Sequence, residues 1–183
     1  YQYLVLSPLD NHDFMRRHGM IPMYLMSGYG PSLSTLVSSL FMHADLWHLV
    51  FNLLYLHIFG DNVEDAFGHL SYALFYLACG VAACLAQALS DPASQLPLIG
   101  ASGAISGVLG AYVMLFPGAR LLSLAFIFLI EARAIFFILA YFALNVYQVF
   151  SEPASGHVAF YAHVGGFLAG VFWLIVFGKP RLA

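Results

Sequence analysis

The amino-acid sequence predicts an all-α fold, a polytopic bundle of transmembrane helices. Of the 183 residues, 62% are hydrophobic and 8% are charged, whereas about 25% of residues are charged in an ordinary soluble domain. The six Lys and Arg and nine Asp and Glu residues are too few to form a soluble protein's polar shell. Long apolar segments also alternate with short segments rich in turn-forming or charged residues. A lipid bilayer is therefore the expected environment of this chain.

The beginning of the chain does not have the pattern of a spanning helix. Pro8, Pro22 and Pro31 interrupt a stretch that also contains apolar residues such as Met20 and Ile21. We predict that residues 1–44 form a structured loop region at the membrane interface, after a missing or partial first helix of which residues 1–6 would be the remnant. Residues 45–183 are predicted to form the transmembrane helical core.

Five segments of this core are candidates to cross a bilayer, which takes roughly 17 to 25 apolar residues, or fewer where polar residues line a cavity. They are residues 45–60, 69–90, 101–116, 133–150 and 159–177. The connection at residues 117–132 is itself apolar, but its run of about ten apolar residues between Arg120 and Glu131 is too short to span. We predict an interfacial or re-entrant connection at the membrane surface there.

The basic residues indicate an orientation, because Lys and Arg mark the cytoplasmic side of a membrane protein. The N-terminal region holds only Arg16 and Arg17. The opposite side collects the other four basic residues, Arg120, Arg133, Lys179 and Arg181. The sequence thus predicts a cytoplasmic C-terminus and an N-terminal loop region outside.

Polar residues lie at the N-terminal ends of the first, third and fifth spans, and these ends emerge on the same membrane face. The first span contains His48 and Asn52, which are four residues apart and share a helical face. The third begins with Ser102 and the fifth contains His163. Such residues within spans are rare and usually functional. We therefore expect the three clusters to form one site that opens to the extracytoplasmic face.

These residue types suit nucleophilic catalysis. A serine hydroxyl needs a neighbouring base to remove its proton, and a histidine is the usual base. We predict Ser102 as the nucleophile and His163 as the base. Acyl transfer also creates an oxyanion, which His48, Asn52 and backbone N–H groups at the start of the third span would stabilise.

Glycines next to these residues predict how the helices meet. Gly166 and Gly170 lie three and seven residues after His163, on the same helical face, and Gly103, Gly107 and Gly110 form a similar stripe next to Ser102. Small residues allow helix backbones to approach closely. A crossing of the two stripes would bring the hydroxyl group and the imidazole within reach of each other.

Together these motifs resemble the rhomboid family of intramembrane serine proteases, with its HxxxN pair, GxSG nucleophile and AHxxGxxxG base helix. The sequence reads HLVFN at 48–52, GASG at 100–103 and AHVGGFLAG at 162–170. The resemblance extends from about His43 to the C-terminus. It implies a six-helix core, cleavage of transmembrane segments of other membrane proteins, and a Ser102–His163 dyad without an acidic third member. The same motifs imply that Gly100, Gly103, Gly166 and Gly170 shape the site. Neither a cofactor nor a metal ion is expected.

The sequence departs from the family pattern in three places. The first of the six helices is expected to be represented here only by a remnant at residues 1–6. The aromatic residue that often follows the serine by four positions, and packs on the histidine, is replaced by Ser106. A Trp-Arg pair before the HxxxN helix is replaced by Ser34 and Thr35. The last two departures concern how the histidine and the preceding loop are held.

The same residues are also compatible with other interpretations. Ser102 among glycines also fits a packing motif, His43, His57 and His69 suit non-catalytic hydrogen bonds, and Asn145 is assigned to helix packing. Cys79 and Cys84 lack metal-ligand spacing and are also expected to pack. A rhomboid-like protein that binds transmembrane helices without cleaving them is the main alternative. A transporter or haem protein using the histidines is another, while the absence of a basic run excludes a nucleic-acid partner.

Overall fold

The computed structural model describes residues 8–28, 32–125, 128–151 and 159–178. Residues 1–6, Lys179 and Arg181, to which the sequence analysis assigned a helix remnant and an orientation signal, lie outside these ranges. The helices, in chain order, are α1 (Pro8–His18), α2 (Pro22–Ser27), α3 (Ser32–Ser38), α4 (Leu46–Tyr55), α5 (Asp61–Phe67), α6 (His69–Ser90), α7 (Ser102–Leu115), α8 (Ala134–Ser151) and α9 (Phe160–Phe177). Two strands, β1 (Arg120–Ala125) and β2 (Phe128–Arg133), join α7 to α8.

The predicted all-α bundle is confirmed, and its helices closely follow the five predicted segments. Three of them, α6, α8 and α9, are long and apolar enough to cross a membrane by length and composition. Helix α7 is shorter, with 14 residues. The first predicted segment is α4 continued by a π-helical turn at Leu56–Gly60.

Helix α7 lies at the centre of the bundle, where it packs against α6 and α9, which also pack against each other. Its residues from Gly103 to Tyr112 are all buried, and many of them are Gly, Ala or Ser. Small side chains leave room for neighbouring backbones to approach from several sides. The centre of the bundle is thus built from close helix contacts, while large apolar side chains on α4, α8 and α9 face outward.

The region before α4 is more helical than the sequence analysis expected. Where a structured loop was predicted, the described residues 8–28 and 32–44 contain three short helices and a 3₁₀ turn at Ser39–Phe41. Pro22 begins α2, where its fixed φ suits the first helical turn, and Gly28 ends it with φ +71°. Met20 and Leu40 pack against Cys84 of α6, so this region is attached to the bundle.

The apolar connection after α7 forms an antiparallel hairpin of β1 and β2, which the sequence analysis did not predict. Its length is too short for a spanning helix. By folding back on itself, the segment pairs the backbone groups of one strand with those of the other, as an apolar environment requires. Arg120 and Glu131 lie 3.6 Å apart across the hairpin, and both are well exposed.

Candidate active site

Ser102 and His163 come from different helices and lie in hydrogen-bonding contact. Ser102 is the first residue of α7, and His163 lies in the first turn of α9. The distance from Ser102 Oγ to His163 Nε2 is 2.9 Å. This is the arrangement in which an imidazole nitrogen accepts a serine proton.

The glycine stripes explain how the two helices approach so closely. A Cβ atom on Gly166 would collide with the carbonyl oxygen of Gly103, and one on Gly170 would collide with that of Gly107. The crossing of the two stripes that the sequence suggested is therefore present. Because any larger side chain would push α7 and α9 apart, the spacing between Ser102 and His163 depends on these glycines.

His48 is held at the start of α4 by its local backbone. Asp45 caps the helix by accepting a hydrogen bond from the backbone N–H of His48, at 2.8 Å. The N–H of Ala44 donates to His48 Nδ1 at 3.2 Å. Since Nδ1 accepts, the neutral ring carries its proton on Nε2. His48 Nε2 is then a hydrogen-bond donor.

Gly100 brings the backbone next to this donor. Its φ of +119° lies in a region that favours glycine. A Cβ atom there would lie 2.8 Å from His48 Nε2 and 3.6 Å from Ser102 Oγ. Any side chain at position 100 would thus occupy the space between the histidine and the serine.

Asn52 is the second side chain on the His48 face of α4. It is 7% exposed, and its Nδ2 has no hydrogen-bond partner within the described part of the chain. An unpaired buried donor costs free energy unless a ligand satisfies it. Asn52, His48, Ser102 and His163 all line one cavity of about 700 Å³, so the structure brings these predicted residues to one place.

Asn145 also belongs to this cluster, although the sequence analysis assigned it to packing. Its Oδ1 lies 2.8 Å from His163 Nδ1, and its Nδ2 donates to the carbonyl of Tyr141 at 2.9 Å. The available signal was a strongly polar residue within an apolar span. This signal alone does not connect Asn145 to the site, because Asn145 lies within α8 and not at the N-terminal end of α4, α7 or α9.

Tyr141 packs beside the histidine, where the sequence analysis noted a missing aromatic residue. Its ring centre is 6.1 Å from that of His163, and its hydroxyl is 3.1 Å from Ser106 Oγ. Ser106 donates to the carbonyl of Ser102 at 2.8 Å, so its oxygen remains free to accept from Tyr141. The aromatic neighbour of His163 therefore comes from α8 and hydrogen bonds to the serine that stands in its usual position.

The remaining histidines singled out in the sequence have other contacts. His43 packs edge-on against His48, with ring centres 5.2 Å apart. Burial, together with repulsion from His48, lowers the pKa of His43, which favours its neutral form. His57 pairs with Asp61 at 3.2 Å, and His69 pairs with Glu64 at 2.6 Å. Cys79 and Cys84 are buried free thiols.

Comparison with known proteins identifies the family. A model of the Rhomboid domain matches residues 30–180. The mitochondrial Rhomboid protein 1 of Saccharomyces cerevisiae is 32% identical over 155 residues, which cover 82% of this chain and 44% of the yeast protein. Rhomboid protease GluP of Bacillus subtilis is 31% identical over 146 residues, covering 80% of this chain and 26% of that protein.

One relative is named as inactive. Inactive rhomboid protein 1 of Drosophila melanogaster is 32% identical over 97 residues, which cover 53% of this chain and 7% of the fly protein. The chain spans less than half of the length of each of these three relatives. The family match and the apolar helices nevertheless lead to one conclusion: the chain is an integral, multi-pass membrane protein and belongs to the rhomboid family.

Proposed function

We propose that this protein is an intramembrane serine endopeptidase that cleaves transmembrane segments of other membrane proteins. Membership of the family allows either a protease or an inactive relative of one. The observation that favours a protease is the 2.9 Å contact between Ser102 Oγ and His163 Nε2, beside a cavity that also contains His48 and Asn52. A protease requires a hydroxyl group paired with a base, whereas a protein that only binds helices does not.

In the proposed mechanism, Ser102 Oγ attacks the carbonyl carbon of the scissile peptide bond while His163 Nε2 takes the hydroxyl proton. The carbonyl oxygen becomes an oxyanion. When the C–N bond breaks, His163 gives the proton to the leaving amine, and an ester between Ser102 and the substrate remains. Water then attacks this ester with His163 again acting as the base, which releases the carboxylic acid and restores the serine.

The oxyanion would be stabilised by the side chains of α4 and by the start of α7. His48 Nε2 carries a proton because its Nδ1 accepts from Ala44, and Asn52 Nδ2 has no partner in the described residues. Both are therefore ready to donate to a new negative charge. The first N–H groups of α7 are unpaired within the helix and add the favourable end of its dipole.

The substrate must present an extended segment, because the carbonyls of an intact helix are occupied by its own hydrogen bonds. We propose that a substrate helix enters laterally and unwinds locally next to Ser102. Water must also reach the ester intermediate. A site that opens to the extracytoplasmic face, with a cytoplasmic C-terminus, satisfies this requirement and fits the distribution of basic residues.

The test is labelling with a fluorophosphonate probe and cleavage of a transmembrane substrate in lipid vesicles, using the parent, Ser102→Ala and His163→Ala. We expect both activities in the parent and neither in the two variants. Ser71→Ala serves as the control, because Ser71 is exposed on α6 and its loss should change nothing. Absence of labelling and cleavage in a folded parent would instead support a binder without chemistry, like the relative named as inactive.

A further inference from the structure

Helix α8 contacts the ring nitrogen of His163 that points away from Ser102. An imidazole in its neutral form has one protonated and one unprotonated nitrogen, and only an unprotonated Nε2 can accept the proton of Ser102. The other nitrogen, Nδ1, must then carry the proton and find an acceptor. His163 Nδ1 lies 2.8 Å from Asn145 Oδ1.

The orientation of the Asn145 amide follows from its second contact. Its nitrogen lies 2.9 Å from the backbone carbonyl of Tyr141, and a carbonyl can only accept. The reverse amide orientation would place two oxygen acceptors against each other. The Tyr141 carbonyl therefore fixes the amide, and the Asn145 oxygen is left facing His163 as an acceptor.

We propose that Asn145 is a positioning residue that holds His163 in the tautomer with a proton on Nδ1, so that Nε2 is free to accept from Ser102. The hydrogen bond made by one ring nitrogen decides which nitrogen carries the proton. Asn145 is 4% exposed, so little water competes for this contact. This inference rests on the proposed protease function and adds Asn145, as a positioning residue, to the Ser102–His163 dyad.

A second set of contacts keeps α8 in register with the serine. The Tyr141 hydroxyl donates to Ser106, which donates to the carbonyl of Ser102 itself. Tyr141 and Asn145 are four residues apart and share one face of α8. The same helical face thus contacts His163 through Asn145 and Ser106 of α7 through Tyr141.

The first test reads the tautomer directly and needs no substrate. It uses ¹⁵N NMR of the protein labelled with ¹⁵N-histidine in a Ser102→Ala background, where Ser102 no longer contacts His163. The His163 signals are identified by their loss in Ser102→Ala/His163→Ala. We expect a protonated Nδ1 and an unprotonated Nε2, and adding Asn145→Leu should shift the population toward protonation of Nε2. A proton on Nε2 with Asn145 intact would overturn the proposal.

The second test compares two variants of similar size in the otherwise unchanged protein. Asn145→Leu removes the acceptor and should lower kcat by roughly tenfold to 100-fold with little change in KM, less than the roughly 10⁴-fold loss when the wrong tautomer is enforced in a Ser–His–Asp protease. Asn145→Asp loses the donation to the Tyr141 carbonyl but keeps an acceptor for His163 Nδ1, so it should retain more of kcat than Asn145→Leu does. Leu144→Ala, at a neighbouring exposed position of α8, is the control and should match the parent.

The two tests separate this inference from the proposed function. If the parent cleaves nothing, the protease proposal fails, while the tautomer measurement still decides the role of Asn145. If Ser102→Ala abolishes cleavage but Asn145→Leu cleaves as the parent does, the protease proposal stands and the positioning role of Asn145 fails. A loss of kcat in Asn145→Leu with an unchanged His163 tautomer also overturns the positioning role, because it indicates that Asn145 acts through packing alone.

Discussion

In the proposed oxyanion site, His48 and Asn52 are hydrogen-bond donors for a negative charge that would form only during the reaction. The Ala44 N–H donates to the ring of His48, the Asp45 side chain accepts from the His48 backbone N–H, and Asn52 keeps a buried donor unpaired within the described residues. An unpaired donor reduces stability. It is useful if negative charge develops beside it during a reaction.

This view predicts the effect of Asn52→Ala. Loss of one oxyanion donor costs about 10²- to 10³-fold in kcat in a well-studied serine protease, and we expect a loss of about 10²-fold here, since His48 and the backbone remain. The midpoint of thermal unfolding should change little, because Nδ2 has no partner to lose. Kinetics and thermal unfolding in detergent would measure both quantities.

Asn62→Ala is the matched control for this variant, because Asn62 lies on α5 outside the cavity, where its Nδ2 donates to the Tyr112 hydroxyl at 3.5 Å, and it should cleave as the parent does. Unchanged cleavage in Asn52→Ala would remove Asn52 from the oxyanion site. A fall in cleavage that merely follows a large fall in the unfolding midpoint would show that Asn52 acts through packing.

Among the structural elements, α9 depends on a neighbour for its first turn. The first N–H groups of a helix have no partner within it, and Ala159 provides no side-chain cap. Gln87 of α6 instead accepts a hydrogen bond from the backbone N–H of Ala162, at 3.3 Å. Because Ala162 directly precedes His163, this contact helps fix the position of the His163 backbone.

We therefore predict that Gln87→Leu lowers the free energy of unfolding by roughly 1 to 3 kcal/mol, the usual cost of leaving a buried donor unpaired. Chemical unfolding in detergent micelles measures this change. Gln95→Leu makes the same replacement at an exposed loop position and should have little effect. Equal stability of the two variants would mean that the Gln87 contact does not stabilise α9.

The hairpin and the short N-terminal helices are elements whose secondary structure the local sequence pattern does not decide. A run of about ten apolar residues is compatible with an interfacial helix, a re-entrant loop or a pair of strands. Pairing between β1 and β2 satisfies the backbone of that run. The N-terminal helices likewise gain stability from contacts such as that of Met20 with the distant Leu98, which local sequence does not specify.

For the whole molecule, the crossing of α7 and α9 connects packing to the site. The Cβ positions of Gly166 and Gly170 point at backbone carbonyls of α7, which cannot move aside as the end of a flexible side chain can. An added methyl group must therefore separate the helices. Their separation would also increase the distance between Ser102 and His163.

Gly170→Ala should therefore reduce both stability and cleavage. We expect the free energy of unfolding to fall by about 1 to 3 kcal/mol, as in other overpacked cores. Cleavage should fall by as much as about 100-fold, because a displacement of about 1 Å can cost that much. Chemical unfolding and vesicle cleavage assays give the two values.

Gly118→Ala is the control for this crossing. A Cβ atom at Gly118 would meet nothing within 4 Å, so this variant should resemble the parent in both assays. A well-folded Gly170→Ala that cleaves at the parent rate would show that the site tolerates a wider crossing than the structure suggests.

The sequence by itself determined the membrane environment, the positions of the main helices and the residues that meet at their ends. Composition and apolar length specify the spans, because a bilayer imposes a fixed thickness. Alternating crossings then place the starts of α4, α7 and α9 on one face, which brought Ser102, His163, His48 and Asn52 into consideration before any distance was known.

Only the tertiary structure decided which side chains complete that site. The contacts of Asn145 and Tyr141 with His163 depend on the rotation of α8 about its axis and on its distance from α9, and neither quantity is encoded in helix length or order. Helices in a bilayer are apolar on most of their surface, so periodicity does not show which face meets a neighbour. A polar residue in a span signals that it needs a partner, and the packed bundle determines which partner it finds.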